Sequence, residues 1–373
     1  MAKILLAASY VADWAVLIVV AIVGYIVGNI TPNHRPFSLD NTDISFPFTV
    51  YETVTTSTLI LASVLAPAVI TAFVCLVFVP GGTVPCDVPR SLVWRRKLWE
   101  FHAAWLGLAF SVAIAWFVMS GMKNLFGKPR PDLLARCQPD LDNIAQYVVG
   151  GIATMSGGSG QLVSSKICQT TGTANLDEGF RSFPSGHATI SAAGLLYLTL
   201  VLASKFGAAS SIFARVTGRG ADYSAFPSRL HPVSDACTQG TRLSQEAIEL
   251  NRGDVAVNSP HKTTPARKQA AAPPIYLFAL ALAPFLAAVF ISASRWFDFR
   301  HHGFDILFGF TIGTITAICA FRYYHMPFRG GAGWAWAPRT EDKAWWAGVG
   351  YQDYATRKGE YLRHRGDEEA GML

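Results

Sequence analysis

An all-α polytopic membrane protein with six transmembrane helices is the fold class the sequence predicts, on three observations. Of 373 residues, 51% are hydrophobic and only 15% are charged. The apolar residues fall in long blocks rather than amphipathic stripes, and a helix needs about 20 of them to cross a bilayer. The connections between blocks differ in basic content, as loops on opposite sides of a membrane do. Any single block could be a buried core helix; six of them, with so little polar sequence between, exclude a soluble globular class.

The blocks run in order over roughly 12–30, 55–79, 101–122, 188–204, 274–293 and 303–321. The stretch before the first has one basic residue, Lys3, no clean cleavage site, and an Asp13 that interrupts any apolar signal core. Span 1 is therefore read as a retained signal anchor. The 80–100 connection carries Arg90, Arg95, Arg96 and Lys97, whereas 31–52 has only Arg35. The first is read as cytoplasmic and the second as lying outside. The tail after Tyr323 is basic again, with Arg329, Arg339, Lys343, Arg357 and Lys358, and ends in GML without a retention signal. An even number of spans puts both termini in the cytoplasm. The net charge of +6 then follows from topology, with attraction to anionic inner-leaflet lipid as a minor addition, and calls for no nucleic acid.

Residues 1–328 read as one membrane domain and 329–373 as a cytoplasmic tail. Within the domain, residues 206–273 are rich in Ser, Arg, Gly, Thr and Pro and read as a disordered cytoplasmic insert. No internal repeat is visible. Cys75 and Cys319 lie inside spans as packing residues, and Cys86 and Cys237 fall on the cytoplasmic side. Cys137 and Cys168 share the long 123–186 outer connection, in an oxidising compartment. They are expected to form a disulfide that closes its glycine-rich stretch, GGIATMSGGSG.

Three polar islands interrupt the apolar blocks: Lys123–Pro131 (KNLFGKPRP), Arg181–His187 (RSFPSGH) and Ser294–Asp305 (SRWFDFRHHGFD). The first follows span 3, the second opens span 4 and the third joins spans 5 and 6, so parity places all of them on the non-cytoplasmic face. One helix more or fewer would have split the set.

In the third island, His301 and Asp305 are four residues apart, so helical backbone would put them on one face. A carboxylate on one ring nitrogen fixes the tautomer and frees the other nitrogen to attack. His302 is three residues from Asp305 and competes for that role; spacing alone leaves both open. Arg295 offers a planar fork matched to phosphate oxygens, while Arg300 reads as an interface anchor. The second island reads as a helix start whose Ser185 and Gly186 N–H groups face an anion. Glycine permits close approach, and His187 could give a proton to a departing alkoxide. In the first island Pro129 and Pro131 break any helix, so Arg130 reaches out from a stiff loop seven residues beyond Lys123; Lys128 reads as a solvated neighbour. At an effective dielectric near 20, each charge pair at ~4 Å is worth about 4 kcal/mol. Lys123, Arg130 and Arg295 could together offset a phosphate dianion and its loose transition state. With no EF-hand spacing, HExxH or acidic cluster that would hold a divalent ion, the reaction is expected to need no metal and no Mg2+.

Lys123 with Arg130 and Pro131 fits K-x6-R-P, Pro184 to His187 reads P-S-G-H, and Ser294, Arg295, His301 and Asp305 fit S-R-x5-H-x3-D. Over residues 10–325 the chain resembles the type 2 phosphatidic acid phosphatase superfamily, and within it the eukaryotic integral-membrane lipid phosphate phosphatases, the fungal diacylglycerol pyrophosphate phosphatases in particular. That resemblance implies His301 as a nucleophile forming a phosphohistidine, Asp305 as its orienting group and His187 as proton donor. It implies Lys123, Arg130, Ser185, Gly186 and Arg295 as the phosphate-binding set. The expected activity is metal-independent hydrolysis of the terminal phosphate of phosphatidic acid, lysophosphatidic acid or diacylglycerol pyrophosphate. The site would face the lumen or exterior of an endomembrane or the plasma membrane. Vanadium haloperoxidases share the constellation but resemble soluble bundles. A catalytically silent lipid-binding relative would lack the intact histidines and Lys123. Headgroup preference and oligomeric state are not encoded in these motifs.

Overall fold

The computed structural model describes residues 2–79, 90–151, 160–170, 172–207, 274–328, 333–336 and 339. Among them are six helices long and apolar enough to span a bilayer, and the chain is a multi-pass membrane protein. These are α1 (Ala2–Gly28), α2 (Thr56–Phe78), α3 (Arg90–Phe126), α7 (Gly186–Lys205), α8 (Ile275–Phe297) and α9 (Gly303–Tyr324). Large apolar side chains such as Ile18, Ile22, Leu61, Val69, Leu280 and Phe290 stay exposed, as expected of surfaces meant for lipid.

Helix α7 forms the centre. Val74, Leu198, Leu202 and Ala281 pack on one flank of it, and Leu108, Tyr197, Val201 and Ala317 on another. Its approach to α9 requires glycine. A Cβ on Gly309 would lie 2.6 Å from the Ser185 carbonyl oxygen, and one on Gly313 would lie 2.3 Å from that of Thr189. Without side chains there, helix backbones close to contact, which ties the second and third islands together.

Three spans extend beyond the sequence reading, the first being α1, which is helical from Ala2 rather than from about residue 12. Helix α3 starts at Arg90, so Arg95, Arg96 and Lys97 are helical rather than part of a loop; Lys97 caps carbonyls at the end of α2, donating to Leu76 at 2.7 Å. Helix α8 runs to Phe297 and carries Ser294 and Arg295 in its last turn, which leaves only Asp298–His302 as the connecting loop.

Between α3 and α7 the chain builds a small folded cap on the islands' end of the bundle. It holds α4 (Leu133–Cys137), α5 (Ile144–Tyr147), α6 (Thr173–Gly179) and an antiparallel hairpin of β1 (Val148–Gly151) and β2 (Gln161–Val163). Phe37, from the connection after α1, joins the hairpin by two backbone hydrogen bonds to Val163, at 3.1 and 2.8 Å. Phe37, Ile44, Leu133, Val163, Ile167 and Phe180 form its core, and Cys137 is disulfide-bonded to Cys168. Cys75 is buried and free, as expected, whereas Cys319 is exposed on α9. Cys86, Cys237, most of the 206–273 insert and most of the tail lie outside the described residues.

At the opposite end, a short C-terminal segment docks on the bundle. Glu100 and Lys205, both fully buried, pair with each other. Glu100 also accepts from the Ala335 N–H at 3.0 Å, and Lys205 donates to the Gly333 carbonyl at 2.7 Å. Trp334 packs against Val79 and Leu92, and the Trp99 indole donates to the Trp336 carbonyl at 2.9 Å. Each member of the ion pair thus has a main-chain hydrogen bond besides its partner, the kind of support a buried charge needs.

Candidate active site

All three islands meet at one end of the bundle. Lys123 stands in the last turn of α3, against the start of α7: a methyl on Gly186 would sit 3.1 Å from its Nζ. Arg130 is buried in the loop beyond, where its backbone N–H donates to the Gly179 carbonyl at 2.8 Å. Arg295, buried in the last turn of α8, donates to the Val54 carbonyl at 3.2 Å. The His187 Nε2 meets the same carbonyl at 3.1 Å, which brings the second island to the third.

His301 is buried. Its Nδ1 lies 2.7 Å from the Ser182 carbonyl oxygen. A carbonyl only accepts, so Nδ1 carries the proton and Nε2 keeps its lone pair. Burial holds the ring's pKa well below the ordinary value, and the positive charges of Arg130, Lys123 and Arg295 push the same way. Electrostatically, then, the three cations of the sequence reading converge on this imidazole.

Asp305 is placed differently from the expectation. Its carboxylate accepts from Lys128 at 2.7 Å, from the Ser182 hydroxyl at 2.6 Å and from the His302 backbone N–H at 3.2 Å, and meets His302 Nδ1 at 3.1 Å. It is the third residue of α9 and forms a capping box with His302, a stronger local claim on the carboxylate than a contact four residues back. The partner of the His301 ring is therefore the Ser182 main chain, and Asp305 acts on that residue's side chain. Lys128, expected to be solvated, is the counter-ion of this buried carboxylate.

A second correction concerns Ser185. Its N–H donates to the Asp305 carbonyl at 3.0 Å and is not free for an anion. Its hydroxyl is buried without a partner, and the N–H groups of the first α7 turn have no intrahelical acceptor. An anion at this point would meet that hydroxyl and the Gly186 amide.

Two carboxylates absent from the sequence reading complete the site. Glu178 pairs with Arg130 and, at 3.6 Å, with Arg181. Burial raises its pKa, but Arg130, Lys123 and Arg181 outweigh that and hold it at about 2. Glu52 bridges Arg295 at 3.0 Å and Arg300 at 2.9 Å. Arg300 is no surface anchor: it is buried, pairs with Asp132 at 3.3 Å and donates to the Thr49 carbonyl at 2.8 Å. The clue in the sequence was arithmetic. Several arginines buried at one membrane boundary require carboxylates close by.

The chain matches the model of the PAP2 superfamily over residues 104–329. It is 33% identical over 196 residues to the probable diacylglycerol pyrophosphate phosphatase 1 of Schizosaccharomyces pombe, covering 52% of this chain and 59% of that protein. It is 25% identical to lipid phosphate phosphatase 1 of Arabidopsis thaliana, over 86% of this chain and 70% of the relative. It is 24% identical to diacylglycerol pyrophosphate phosphatase 1 of Saccharomyces cerevisiae, over 84% and 79%. No solved structure matches the chain. The matched segment runs from the middle of α3 through α9 and contains all three islands, and the chain belongs to the PAP2 superfamily.

Proposed function

We propose that this membrane phosphatase removes the terminal phosphate of phosphatidic acid, lysophosphatidic acid or diacylglycerol pyrophosphate through a phosphohistidine on His301, without a metal. The observation that carries the reading is the buried His301 ring, its Nδ1 on the Ser182 carbonyl, with the positive charges of Arg130, Lys123 and Arg295 acting on it. The names of the relatives support the lipid class.

The phosphate settles among the three cations, the Ser185 hydroxyl and the Gly186 amide. His301 Nε2 attacks phosphorus, a Nε2–P bond forms, and the bond from phosphorus to the leaving oxygen breaks. His187 keeps Nε2–H on the Val54 carbonyl; once the bound phosphate offsets the neighbouring cations, its Nδ1 takes up a proton and gives it to the departing alkoxide. Water then attacks the phosphohistidine and gives its proton to His187; inorganic phosphate leaves and His301 is restored. The fixed cations supply charge stabilisation in a site partly closed to water, where it counts most. The basic content of the 80–100 connection and of the tail supports a reading in which this end of the bundle faces the lumen or exterior and the termini face the cytoplasm.

Phosphate release from a panel of lipid monoesters and pyrophosphates tests the reading, with purified wild type and His301→Ala in excess EDTA. Release by wild type but not by the variant is expected. Release that requires added Mg2+ would overturn the metal-free mechanism, and equal release by His301→Ala would overturn the nucleophile.

A further inference from the structure

We propose that the stretch from Thr49 to Val54 is the orienting arm of the proton donor: Asp298 grips Thr53, and the adjoining Val54 carbonyl thereby fixes the His187 ring. The inference rests on the phosphatase reading, in which His187 protonates the leaving group. It makes Thr53 and Asp298 positioning residues. The arm lies outside residues 104–329, the part matched to the family, and Asp298 falls among the five unspecified positions of S-R-x5-H.

The ring needs such a partner. His187 Nε2 lies 3.1 Å from the Val54 carbonyl oxygen. A carbonyl only accepts, so Nε2 carries the proton and Nδ1 is the atom left to exchange one. An imidazole without that partner turns about its Cβ–Cγ bond and takes either tautomer, and each change moves the exchanging nitrogen off the leaving oxygen. Val54 belongs to no helix or strand, so no ladder of backbone bonds holds its carbonyl in place.

Asp298 supplies the hold. Its carboxylate is 2% exposed and accepts from the Thr53 hydroxyl at 2.7 Å and the Thr53 N–H at 3.0 Å. Hydrogen bonds to an ionised acceptor are the strong ones. At the other end of the arm, the Thr49 hydroxyl donates to the Asp298 carbonyl at 3.0 Å, and Arg300 donates to the Thr49 carbonyl at 2.8 Å. Both ends are thus fastened to the loop between α8 and α9 that leads to His301. The Val54 side chain is buried with Leu59, Met119 and Ile190, so the residue is fixed on its core side as well.

Arg295 complicates the picture. It donates to the same Val54 carbonyl at 3.2 Å and meets Asp298 at 3.4 Å, so loss of the arm could also disturb the phosphate cradle. The two effects separate by leaving group. A cradle defect slows every substrate, whereas a misplaced acid slows only those whose leaving group needs a proton.

Thr53 is exposed, and Thr53→Val removes its hydroxyl while keeping its shape and its N–H. Full-length wild type, Thr53→Val, Thr53→Ser, His187→Ala and the Thr53→Val/His187→Ala double variant are assayed on phosphatidic acid and diacylglycerol pyrophosphate of identical acyl chains. In Thr53→Val, kcat/KM is expected to fall about tenfold for phosphatidic acid, whose diacylglycerol leaves as an alkoxide, and about twofold or less for the pyrophosphate. Thr53→Ser should retain both activities, and Thr53→Val should add no loss to His187→Ala. Equal losses on both lipids, or additive losses in the double variant, would overturn the arm. A second readout needs no turnover. In 15N-histidine-labelled protein, with His187 assigned by its loss in His187→Gln, NMR should show the Nε2–H tautomer in wild type and a mixture in Thr53→Val. The same single tautomer in both would overturn the proposal. Wild type inactive on both lipids would instead overturn the function reading, and the tautomer measurement would still decide the arm.

Discussion

Ser182 serves two partners at once: its carbonyl takes the His301 Nδ1 proton at 2.7 Å, and its hydroxyl donates to the Asp305 carboxylate at 2.6 Å. The carboxylate therefore reaches His301, the proposed nucleophile, through one intervening residue. Asp305→Asn should lower kcat by about tenfold or more, because it also loses its Lys128 counter-ion, and Ser182→Ala should lower it less. If both act through the same link, the double variant is no worse than Asp305→Asn. Strictly additive losses in a double-mutant cycle would show that Asp305 acts on the ring independently.

The two lipid classes differ in how much they need a proton. An alkoxide is a strong base and must be protonated as it leaves, whereas a departing phosphate is a weak one. His187→Ala should therefore reduce kcat/KM for phosphatidic acid by about 10²–10⁴, the usual scale of general acid catalysis. The loss for diacylglycerol pyrophosphate should be clearly smaller. Steady-state measurements on both lipids check this, and equal losses would remove His187 from the leaving-group step.

His301 should remain neutral at pH 6. Burial and three neighbouring cations disfavour the imidazolium, which lowers the pKa from its ordinary 6.5 and keeps the lone pair available as acidity rises. Removing a cation reverses the sign, so Arg130→Gln should raise the value. Titration of 15N-histidine-labelled protein by NMR, with His301 assigned by its loss in His301→Gln, reads both directly.

Glu178 pairs with Arg130, a proposed phosphate-binding cation. At pH 7, Glu178→Gln should tighten inhibition by orthovanadate a few-fold. The same pair contributes to stability. With a folded pKa of about 2 against an ordinary 4.5, its contribution is present above pH 4.5 and lost as pH falls toward 2. The side chain is 40% exposed, so the difference between wild type and variant should be about 1 kcal/mol or less. Thermal unfolding at pH 6 and pH 3 measures it; identical pH dependence in the two proteins would count against the pairing.

Span number, the common end of the islands and the Cys137–Cys168 bridge were legible because each depends on block length, parity or compartment, which sequence carries directly. Partners within the site were not. The spacing of His301 and Asp305 fits a helical contact, but the chain enters α9 at His302, so the aspartate caps its own helix. Glu52, Asp132 and Glu178 lie in segments with no periodicity to mark them. Only the demand of buried arginines for countercharge singles them out, and that demand depends on a fold not yet known. Lys205 was hidden likewise: it closes an apolar block and reads as a boundary residue until Glu100 and the backbone around Trp334 are seen around it.

The docking of Gly333–Trp336 beside Lys205 sets where information could enter this enzyme. The chain leaves α7 after Lys205 and passes this docked segment again before the tail, so the 206–273 insert and the tail depart from one shared corner. That corner and the imidazole lie at opposite tips of the same 20-residue rod, about 30 Å apart at 1.5 Å per residue. A signal applied at the corner would have to travel as a shift of α7 as a whole, and the glycine contacts at its far tip would deliver that shift to Ser185 and α9.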